Sequence, residues 1–303
     1  GGFKVSASEQ MNEDIKNQIK NFFKGEVEDN EETLSKYSRD ASIFLVRPKL
    51  VLFPMDSEDV ENLVKWVGEN KDKYVDEEKN KDWKNLSITC RCAGTDMSGG
   101  AINESLILDF TRHMNKLISF KNNAITVQPG MFYRDFEKIT LEKGLILPCY
   151  TASKSINAMG GMFGNNSAGE RTLKYGQTEN YIVETKMVLS DGNEYTIKSL
   201  PKNELAKKIA EKSLEGEVYK NIYELINKNR DEIKKAKPNV HKNSAGYYIW
   251  NVEGALSTGD PERAKRRQRP GAVHHPARRC ARRRARSRGP GPGGAAQRPW
   301  YRP

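Results

Sequence analysis

The chain is poor in cysteine. Its 303 residues include only Cys90, Cys92, Cys149 and Cys280. None forms a C-x-x-C pair or stands at a His/Cys spacing typical of a metal site. Cys90 and Cys92 would share one face of a strand, where a redox or metal role competes with simple packing in a reducing compartment. We favour packing, and we expect no bound metal.

Long apolar runs are also absent. The longest, residues 43–53, is interrupted by Arg47, Pro48 and Lys49, whereas a membrane-spanning helix needs about 20 apolar residues. No secretory signal is recognisable at the N-terminus. We therefore expect a cytoplasmic protein without a transmembrane segment.

Negative charge is scarce only in the last 50 residues. The net charge of the chain is +11, of which residues 254–303 contribute +12 through 13 arginines, so residues 1–253 are close to neutral. This Arg/Pro/Gly-rich tail has almost no apolar periodicity and is expected to be disordered. Its abrupt composition also resembles translated out-of-frame or fused DNA. Charge alone would let it bind polyanions without sequence preference, and its pair His274-His275 is not expected to bind metal.

Hydrophobic patterns predict a helical N-terminal arm over residues 1–45 and a main domain over residues 46–253. The main domain begins with a buried strand at Leu50–Phe53 and a helix capped by Asp56 or Ser57. Further elements are predicted in the order strand 86–90, strand 106–108, strand 124–128, helix 133–144, hairpin 181–197 on Asp191-Gly192, helices within 201–236 and strand 247–252. This order favours a mixed α/β unit followed by further strands and helices.

The first candidate site is the glycine-rich stretch Arg91–Gly100, RCAGTDMSGG, directly after a predicted strand. Small residues let a backbone approach an anion, and successive N–H groups can form a nest for phosphate. The stretch matches neither G-x-G-x-x-G nor the P-loop pattern. On this evidence alone, a phosphate site and a tight structural turn are equally supported.

The second candidate site is the stretch Ser153–Gly169, SKSINAMGGMFGNNSAG, which precedes Tyr175-Gly176-Gln177-Thr178. Paired glycines permit close approach to a flat ligand, and the Asn and Ser side chains can donate and accept hydrogen bonds. A loop of this length in a compact domain is usually functional or disordered, so the stretch alone supports a ligand site and a segment without function equally.

Together, the two stretches resemble the FAD-binding domain of the vanillyl-alcohol oxidase / p-cresol methylhydroxylase family (PCMH-type), nearest to its D-lactate dehydrogenase and glycolate oxidase FAD-subunit branch. The family pattern R-G-x-G-T-x-x-S-G-G is met at Arg91–Gly100 except that Cys92 replaces a glycine. The pattern T-I-G-G-N-I-A-T-N-A-G-G is met loosely at residues 158–169, and V-L-x-D-G at Val188–Gly192. The resemblance covers about residues 37–252.

The resemblance implies a two-lobed α+β FAD domain, with a small β-α-β lobe and a larger lobe of mixed or antiparallel sheet. The pyrophosphate would contact Arg91, Cys92, Ala93, Gly94, Thr95, Asp96, Ser98 and Gly99. The rest of the flavin would contact Ser153, Ser155, Ala158, Gly160, Gly161, Asn166, Gly169, Tyr175, Gly176, Thr178 and Ile182. Binding is expected to be non-covalent, since no histidine lies in either stretch. Arg91 has an equal alternative as a strand-end charge.

The resemblance further implies an oxidoreductase in which a D-2-hydroxy acid of the lactate or glycolate type passes a hydride to flavin and a separate acceptor reoxidises the flavin. The family's G-S-E-G-T-L-G-I-I-T element and cap domain have no clear match, so no catalytic residue is assigned. We expect the 303-residue form to bind FAD weakly or not at all and not to turn over D-lactate. Another enzyme of the same fold, such as an enolpyruvyl-sugar reductase, and a polyanion-binding chain are the alternatives.

Overall fold

A four-stranded sheet organises the N-terminal half of the protein. The structure, a computed structural model, describes residues 7–74, 86–240, 248–250 and 252. The sheet strands are β1 (Glu26–Glu28), β2 (Leu50–Phe53), β3 (Ile88–Arg91) and β4 (Leu106–Asp109), in the order β1-β2-β4-β3. β2, β4 and β3 run parallel, and β1 joins β2 antiparallel. The carboxyl ends of β3 and β4 therefore lie side by side.

Helices cover both faces of this sheet. They are α1 (Ala7–Lys20), α2 (Glu31–Tyr37) and α3 (Ser57–Asn70). Leu50 and Leu52 point to the face covered by α1 and α3, whereas Val51 and Phe53 point to the face covered by α2. All four residues of β2 and of β4 are buried, as expected for parallel strands covered on both sides.

A buried carboxylate joins the start of α3 to the turn after α1. Asp59 is completely buried, and its carboxylate accepts hydrogen bonds from the backbone N–H groups of Lys24, Gly25 and Met55 at 2.7, 3.1 and 2.9 Å. Asp56 caps the helix by accepting from the Asp59 N–H, as the sequence predicts. This network fixes α3 against the sheet.

The next elements build a second unit. The strands β5 (Leu117–Lys121) and β6 (Ala124–Val127) form an antiparallel hairpin whose turn residues Asn122 and Asn123 both have positive φ, 51° and 61°. Two such residues define the turn that best matches strand twist in a two-residue hairpin. The helices α4 (Tyr133–Glu142), α5 (Met159–Gly164) and α6 (Thr172–Tyr175) follow. Their core contains Met131, Tyr133, Phe136, Cys149 and Met162.

A second hairpin and three helices complete the described chain. They are β7 (Glu184–Val188), β8 (Glu194–Lys198), α7 (Lys202–Ile209), α8 (Leu214–Lys228) and α9 (Arg230–Ala236). The hairpin turn holds Gly192 at φ +72°, and this glycine lies against Glu61 and Lys65 of α3. The hairpin is thereby packed on the first unit.

The mixed helix-and-strand architecture confirms the α+β class. The interpretation of residues 1–45 as a purely helical arm is corrected by β1, a short strand of the main sheet. The strand expected at 247–252 is wrong where the structure describes it, because Ile249, Trp250 and Val252 are helical. The division into domains stays a prediction.

The structure differs from the sequence predictions at three further places. β5 was not anticipated, residues 159–164 form a short helix, and the Asp191-Gly192 turn is a three-residue loop between Leu189 and Asn193. In the part of the chain that the structure describes, the strands β5 to β8 form two separate hairpins instead of one larger sheet. The expected disordered tail and the pair His274-His275 lie outside the described residues.

None of the helices described by the structure is long and apolar enough to cross a membrane.

The buried parallel strands should carry much of the stability. Leu108→Ala removes a fully buried side chain from the middle of the sheet, and we expect it to lower the free energy of unfolding by about 2–5 kcal/mol. The matched control is Leu225→Ala on α8, where the side chain is 47% exposed. Urea denaturation followed by circular dichroism measures both. Equal losses in the two variants would contradict this description of the core.

Candidate functional site

The glycine-rich stretch after β3 is a loop with two left-handed glycines. Gly94 has φ +64° and Gly99 has φ +85°, conformations that residues with a side chain rarely adopt. Residues 92–100 contain no helix or strand. Residues 91–100, which we call the first loop, are partly exposed at Met97, Ser98 and Gly100.

Arg91 lies beneath this loop and braces it. Its guanidinium donates to the carbonyl of Ala101 at 3.2 Å and stacks on the ring of Tyr37 at 5.0 Å. A side chain at Gly94 would collide with the same guanidinium. Arg91 therefore joins the two ends of the loop, and the loop needs glycine at position 94 for space as well as for its φ.

A buried carboxylate stands beside Arg91. Asp109 on β4 is paired in register with Arg91 on β3 and is 2% exposed. Its carboxylate is hydrogen-bonded to the Tyr37 hydroxyl and to Thr111. Burial lowers the pKa of Arg91, while the charges of Asp109 and Asp40 oppose that shift. The cation beneath the first loop, Arg91, thus has acidic neighbours.

The carboxylate of Asp96 is hydrogen-bonded to the backbone of the first loop. Its Oδ2 accepts from the N–H groups of Ser98 and Gly100 at 3.2 and 2.7 Å and from the Ser98 hydroxyl at 2.8 Å. Partial burial disfavours the charge, but these hydrogen bonds outweigh it and hold the pKa of Asp96 below its usual value. The carboxylate is therefore ionised at neutral pH.

The first loop meets the second candidate stretch at Pro129. The Cys92 thiol lies 3.4 Å from the Pro129 carbonyl, which also accepts from the Gly160 N–H at 2.8 Å. A Cβ on Gly160 would stand 2.7 Å from the Pro129 Cβ and 3.0 Å from the Cys92 Sγ. Gly161 directs its N–H toward Cys92. We call this contact of Cys92, Pro129, Gly160 and Gly161 the loop junction.

The residues before α5 form the approach to this junction. Ser153 accepts through its carbonyl from the Ile156 and Asn157 N–H groups, and the Ser155 carbonyl accepts from Arg134 at 2.8 Å. Ala158 is 1% exposed and forms a bridge with Phe132.

The remaining predicted residues follow α5. Asn166 has φ +44°, and its side chain both donates to Glu179 and accepts from the Glu179 N–H. Gly169 stands so close to the Tyr150 carbonyl that a side chain would not fit. Thr178 is 3% exposed and donates to the Ser167 carbonyl at 2.7 Å.

Tyr175, Gly176 and Ile182 border the same region. The Tyr175 carbonyl accepts from the Tyr181 hydroxyl, and Gly176 has φ +75°. Ile182 is 40% exposed, and Val183 beside it is 59% exposed. Open apolar surface therefore lies next to the second stretch, where a flat ligand or another part of the protein would cover it.

The structure brings some predicted residues together and leaves others apart. Cys92, Gly160 and Gly161 meet at the loop junction, whereas Asp96 is hydrogen-bonded within the first loop. Gly99 lies instead under Phe44, whose ring would be 2.9 Å from a Cβ there. The two stretches are therefore joined at one point.

Three residues of the site escaped the sequence prediction: Tyr37 and Asp109 lie under the first loop, and Pro129 joins the two stretches. Asn157 lies within the second predicted stretch but was not among the predicted contacts; it is 4% exposed, and its Oδ1 has no partner among the described atoms. The only available signal was the position of Asp109 and Pro129 at strand ends, where polar groups and turns collect. Nothing in the sequence pointed to Tyr37.

These features fit the dinucleotide FAD. A loop with two left-handed glycines at the carboxyl end of a parallel strand is a common place for a pyrophosphate. The unpartnered Asn157 oxygen needs a donor, which the flavin or its ribityl chain offers. The glycines at the loop junction let the two stretches pack closely against each other. The carboxylate of Asp96 within the loop opposes an anion, as do those of Asp40 and Asp109 beside Arg91.

Other parts of the molecule offer weaker sites. Two surface depressions of about 260 and 730 Å³ lie along the β7–β8 hairpin and helices α7 and α8, and neither is lined by a residue of the two stretches. Within the described residues, no cluster of three or more His, Cys, Asp or Glu side chains could hold a metal ion. The described cysteines are free.

Several known proteins are similar to this chain. Residues 48–198 match the family described as FAD binding domain. D-2-hydroxyglutarate dehydrogenase of Pseudomonas putida is 24% identical over 234 residues, which cover 76% of this chain and 22% of that protein. Glycolate oxidase subunit GlcD of Bacillus subtilis is 30% identical over 162 residues, covering 52% of this chain and 31% of that protein.

The chain thus spans between a fifth and a third of the length of these curated relatives. Among solved structures, 6-hydroxy-D-nicotine oxidase from Arthrobacter nicotinovorans aligns with a TM-score of 0.48 at 21% identity, over 58% of this chain and 36% of that one.

The loop junction makes a stability prediction with a control on the same helix. Gly160→Ala places a methyl group against Pro129 and Cys92, and we expect a loss of about 1–3 kcal/mol in the free energy of unfolding. Gly164→Ala, also on α5, meets nothing within 4 Å and should be neutral or stabilising by up to about 1 kcal/mol. Thermal and urea unfolding measure both. A neutral Gly160→Ala would mean that the junction is loose.

The junction also predicts an unreactive thiol. Burial, with a contribution from the charge of Asp109, raises the pKa of Cys92 to about 12. At pH 8 roughly one thiol in ten thousand is then a thiolate, the reactive form. Peptide mass spectrometry after iodoacetamide treatment should show Cys92 unmodified in folded protein and alkylated in urea. Similar rates under both conditions would place Cys92 outside the junction.

Proposed function

Because residues 48–198 belong to the FAD binding domain family, we propose that this chain is the flavin-binding part of an oxidoreductase that acts on D-2-hydroxy acids. The contact of two glycine-containing stretches at the loop junction is the observation that carries the binding role. The substrate class follows from the relatives, whose names specify D-2-hydroxyglutarate, glycolate and D-lactate.

In this proposal the first loop receives the phosphates. The predicted contacts are Arg91, Cys92, Ala93, Gly94, Thr95, Asp96, Ser98 and Gly99. Gly94 and Gly99 are left-handed, and glycines in such a conformation let successive N–H groups form a nest for an anion. Arg91 acts mainly by bracing the loop, since its guanidinium is bound to Ala101 and stacked on Tyr37. Its positive charge beneath the loop also favours an anion.

The second stretch receives the remainder of the cofactor. The predicted contacts are Ser153, Ser155, Ala158, Gly160, Gly161, Asn166, Gly169, Tyr175, Gly176, Thr178 and Ile182. We add Asn157, whose buried oxygen lacks a partner among the described atoms. Glu179 restrains Asn166 through two hydrogen bonds, so that this residue keeps its left-handed conformation. Binding is proposed to be non-covalent.

When bound, FAD supplies the acceptor for the two electrons removed from a CH–OH group. The chain's own residues bind and orient that cofactor and keep it against the open apolar surface at Ile182 and Val183. The group that takes the substrate's hydroxyl proton is not assigned to any residue of this chain. A separate electron acceptor reoxidises the enzyme. A cytoplasmic location is part of the proposal, supported by the unpaired state of the described cysteines.

A flavin titration tests the binding role. In the full-length enzyme that carries this domain we expect saturable one-to-one binding, followed by fluorescence, whereas the 303-residue chain should bind FAD weakly or not at all. Gly94→Ala puts a side chain against Arg91 at positive φ, which costs about 1–2 kcal/mol, so affinity should fall roughly tenfold. Gly68→Ala, a glycine on α3 with nothing within 4 Å, should bind as the parent does. Absence of saturable binding in the full-length enzyme, even after refolding with FAD, would refute the proposal.

The substrate class is tested by anaerobic spectroscopy. In the full-length enzyme that carries this domain, D-2-hydroxyglutarate, D-lactate or glycolate should bleach the flavin absorbance, and the L-enantiomers of the chiral acids should not. The 303-residue chain is expected to show no bleaching. Bleaching by a reduced nicotinamide that an enolpyruvyl sugar then reverses, with no bleaching by any of these acids, would favour the alternative enzyme class.

A further inference from the structure

The first loop contains its own anion. Asp96 Oδ2 takes the N–H groups of Ser98 and Gly100 and the Ser98 hydroxyl, which are groups of the kind that bind phosphate oxygens in such loops. The side chain therefore stands where an external anion would find its donors.

The contact is geometrically specific. The Gly100 N–H lies 2.7 Å from Asp96 Oδ2, a short distance for this type of hydrogen bond and typical of a charged acceptor. A side chain at Gly100 would press against the Asp96 carboxylate, since a Cβ there would lie 3.0 Å from Asp96 Oδ2. The carboxylate, the Ser98 hydroxyl and two amides thus form one closed set.

Nothing in the loop pattern requires a carboxylate at this position. In R-G-x-G-T-x-x-S-G-G, Asp96 falls on a variable position. A carboxylate that stays beside a pyrophosphate would repel it, and a carboxylate that leaves gives up three hydrogen bonds. Either way, the residue weakens the binding of a phosphate-bearing ligand.

We propose that Asp96 is a built-in competitor for the phosphates of FAD, and that it must rotate out of the first loop before the cofactor binds. The inference rests on the proposed flavin function and specifies which residue limits affinity. Removal of the carboxylate releases the amides of Ser98 and Gly100 for the ligand. The chain then gains affinity, which is the opposite of what loss of an ordinary binding residue gives.

The variants are Asp96→Ser and the near-isosteric Asp96→Asn, with Asp191→Ser and Asp191→Asn as matched controls. Asp191 is also a loop carboxylate, and it accepts hydrogen bonds from the Asn193 N–H and the Tyr195 hydroxyl. Partial desolvation would raise the pKa of Asp191, but its hydrogen bonds outweigh that effect and lower the pKa. Asp191 belongs to neither candidate stretch. The controls therefore remove the same negative charge, together with similar hydrogen bonds to neighbouring residues, elsewhere on the protein.

Dissociation constants are measured for FAD and for inorganic pyrophosphate by calorimetry. Asp96→Ser should tighten both at least about tenfold, since more than one charge-assisted hydrogen bond becomes available. Asp96→Asn should lie between the parent and Asp96→Ser, because an amide oxygen still accepts from the loop but carries no charge. The Asp191 variants should stay within about twofold of the parent. Circular dichroism establishes that each variant is folded.

The outcomes separate this inference from the flavin function. Tight FAD binding by the parent with no gain in either Asp96 variant overturns the inference and leaves the function standing. Pyrophosphate binding that improves in Asp96→Ser, with no FAD binding in any form, supports the competitor role and removes the flavin function. No binding of either ligand by any form overturns both. An equal gain in the Asp191 variants reduces the effect to net charge and also overturns the inference.

Discussion

The contact between Cys92, Pro129 and the paired glycines Gly160 and Gly161 is the constraint on which the candidate site depends. It is the point where the loop that leaves the parallel sheet meets the short helix α5 of the second unit. The Pro129 carbonyl contacts both stretches, since it lies beside the Cys92 thiol and accepts a hydrogen bond from the Gly160 N–H. Without glycine at position 160, the two stretches would be held apart.

The parallel sheet delivers the first of these stretches in a fixed position. Arg91 and Asp109 end neighbouring strands in register, so the cation and the carboxylate appear together under the loop. Ligand sites of open α/β sheets lie outside the carboxyl ends of such strands. Burial of β2 and β4 on both faces makes this platform rigid, and α3 is tied to it through Asp59. The position of the loop therefore follows from the core.

How far the sequence predicts this arrangement can be judged from particular residues. Leu50–Phe53 and Leu106–Leu108 were recognisable because continuous apolar runs of that length are typical of buried parallel strands. The cap Asp56 and the stop at Gly144, with φ +68°, followed from local backbone chemistry. These are features that neighbouring residues decide by themselves.

Most of the misses have a common physical cause, which is dependence on distant partners. β5 is the exception, because it pairs with the adjacent β6. None of its apolar residues Leu117, Ile118 and Phe120 is fully buried, and its clearest local signal was Asn122-Asn123, a pair suited to a tight hairpin turn. β1 is a strand only because β2 offers an edge to Glu26–Glu28. The role of Asp96 as an internal acceptor and the place of Tyr37 under Arg91 depend on how the loop closes. Composition and periodicity carry no information on such contacts.

The central claim is that one flavin engages both glycine-containing stretches across the loop junction. Hydrogen–deuterium exchange with and without saturating FAD tests this most directly. We predict that peptides covering residues 91–101 and 153–182 gain protection together, at the same FAD concentration, while peptides of the β7–β8 hairpin and α8 do not change. Protection confined to one stretch, or centred on the depressions beside α7 and α8, would contradict the account.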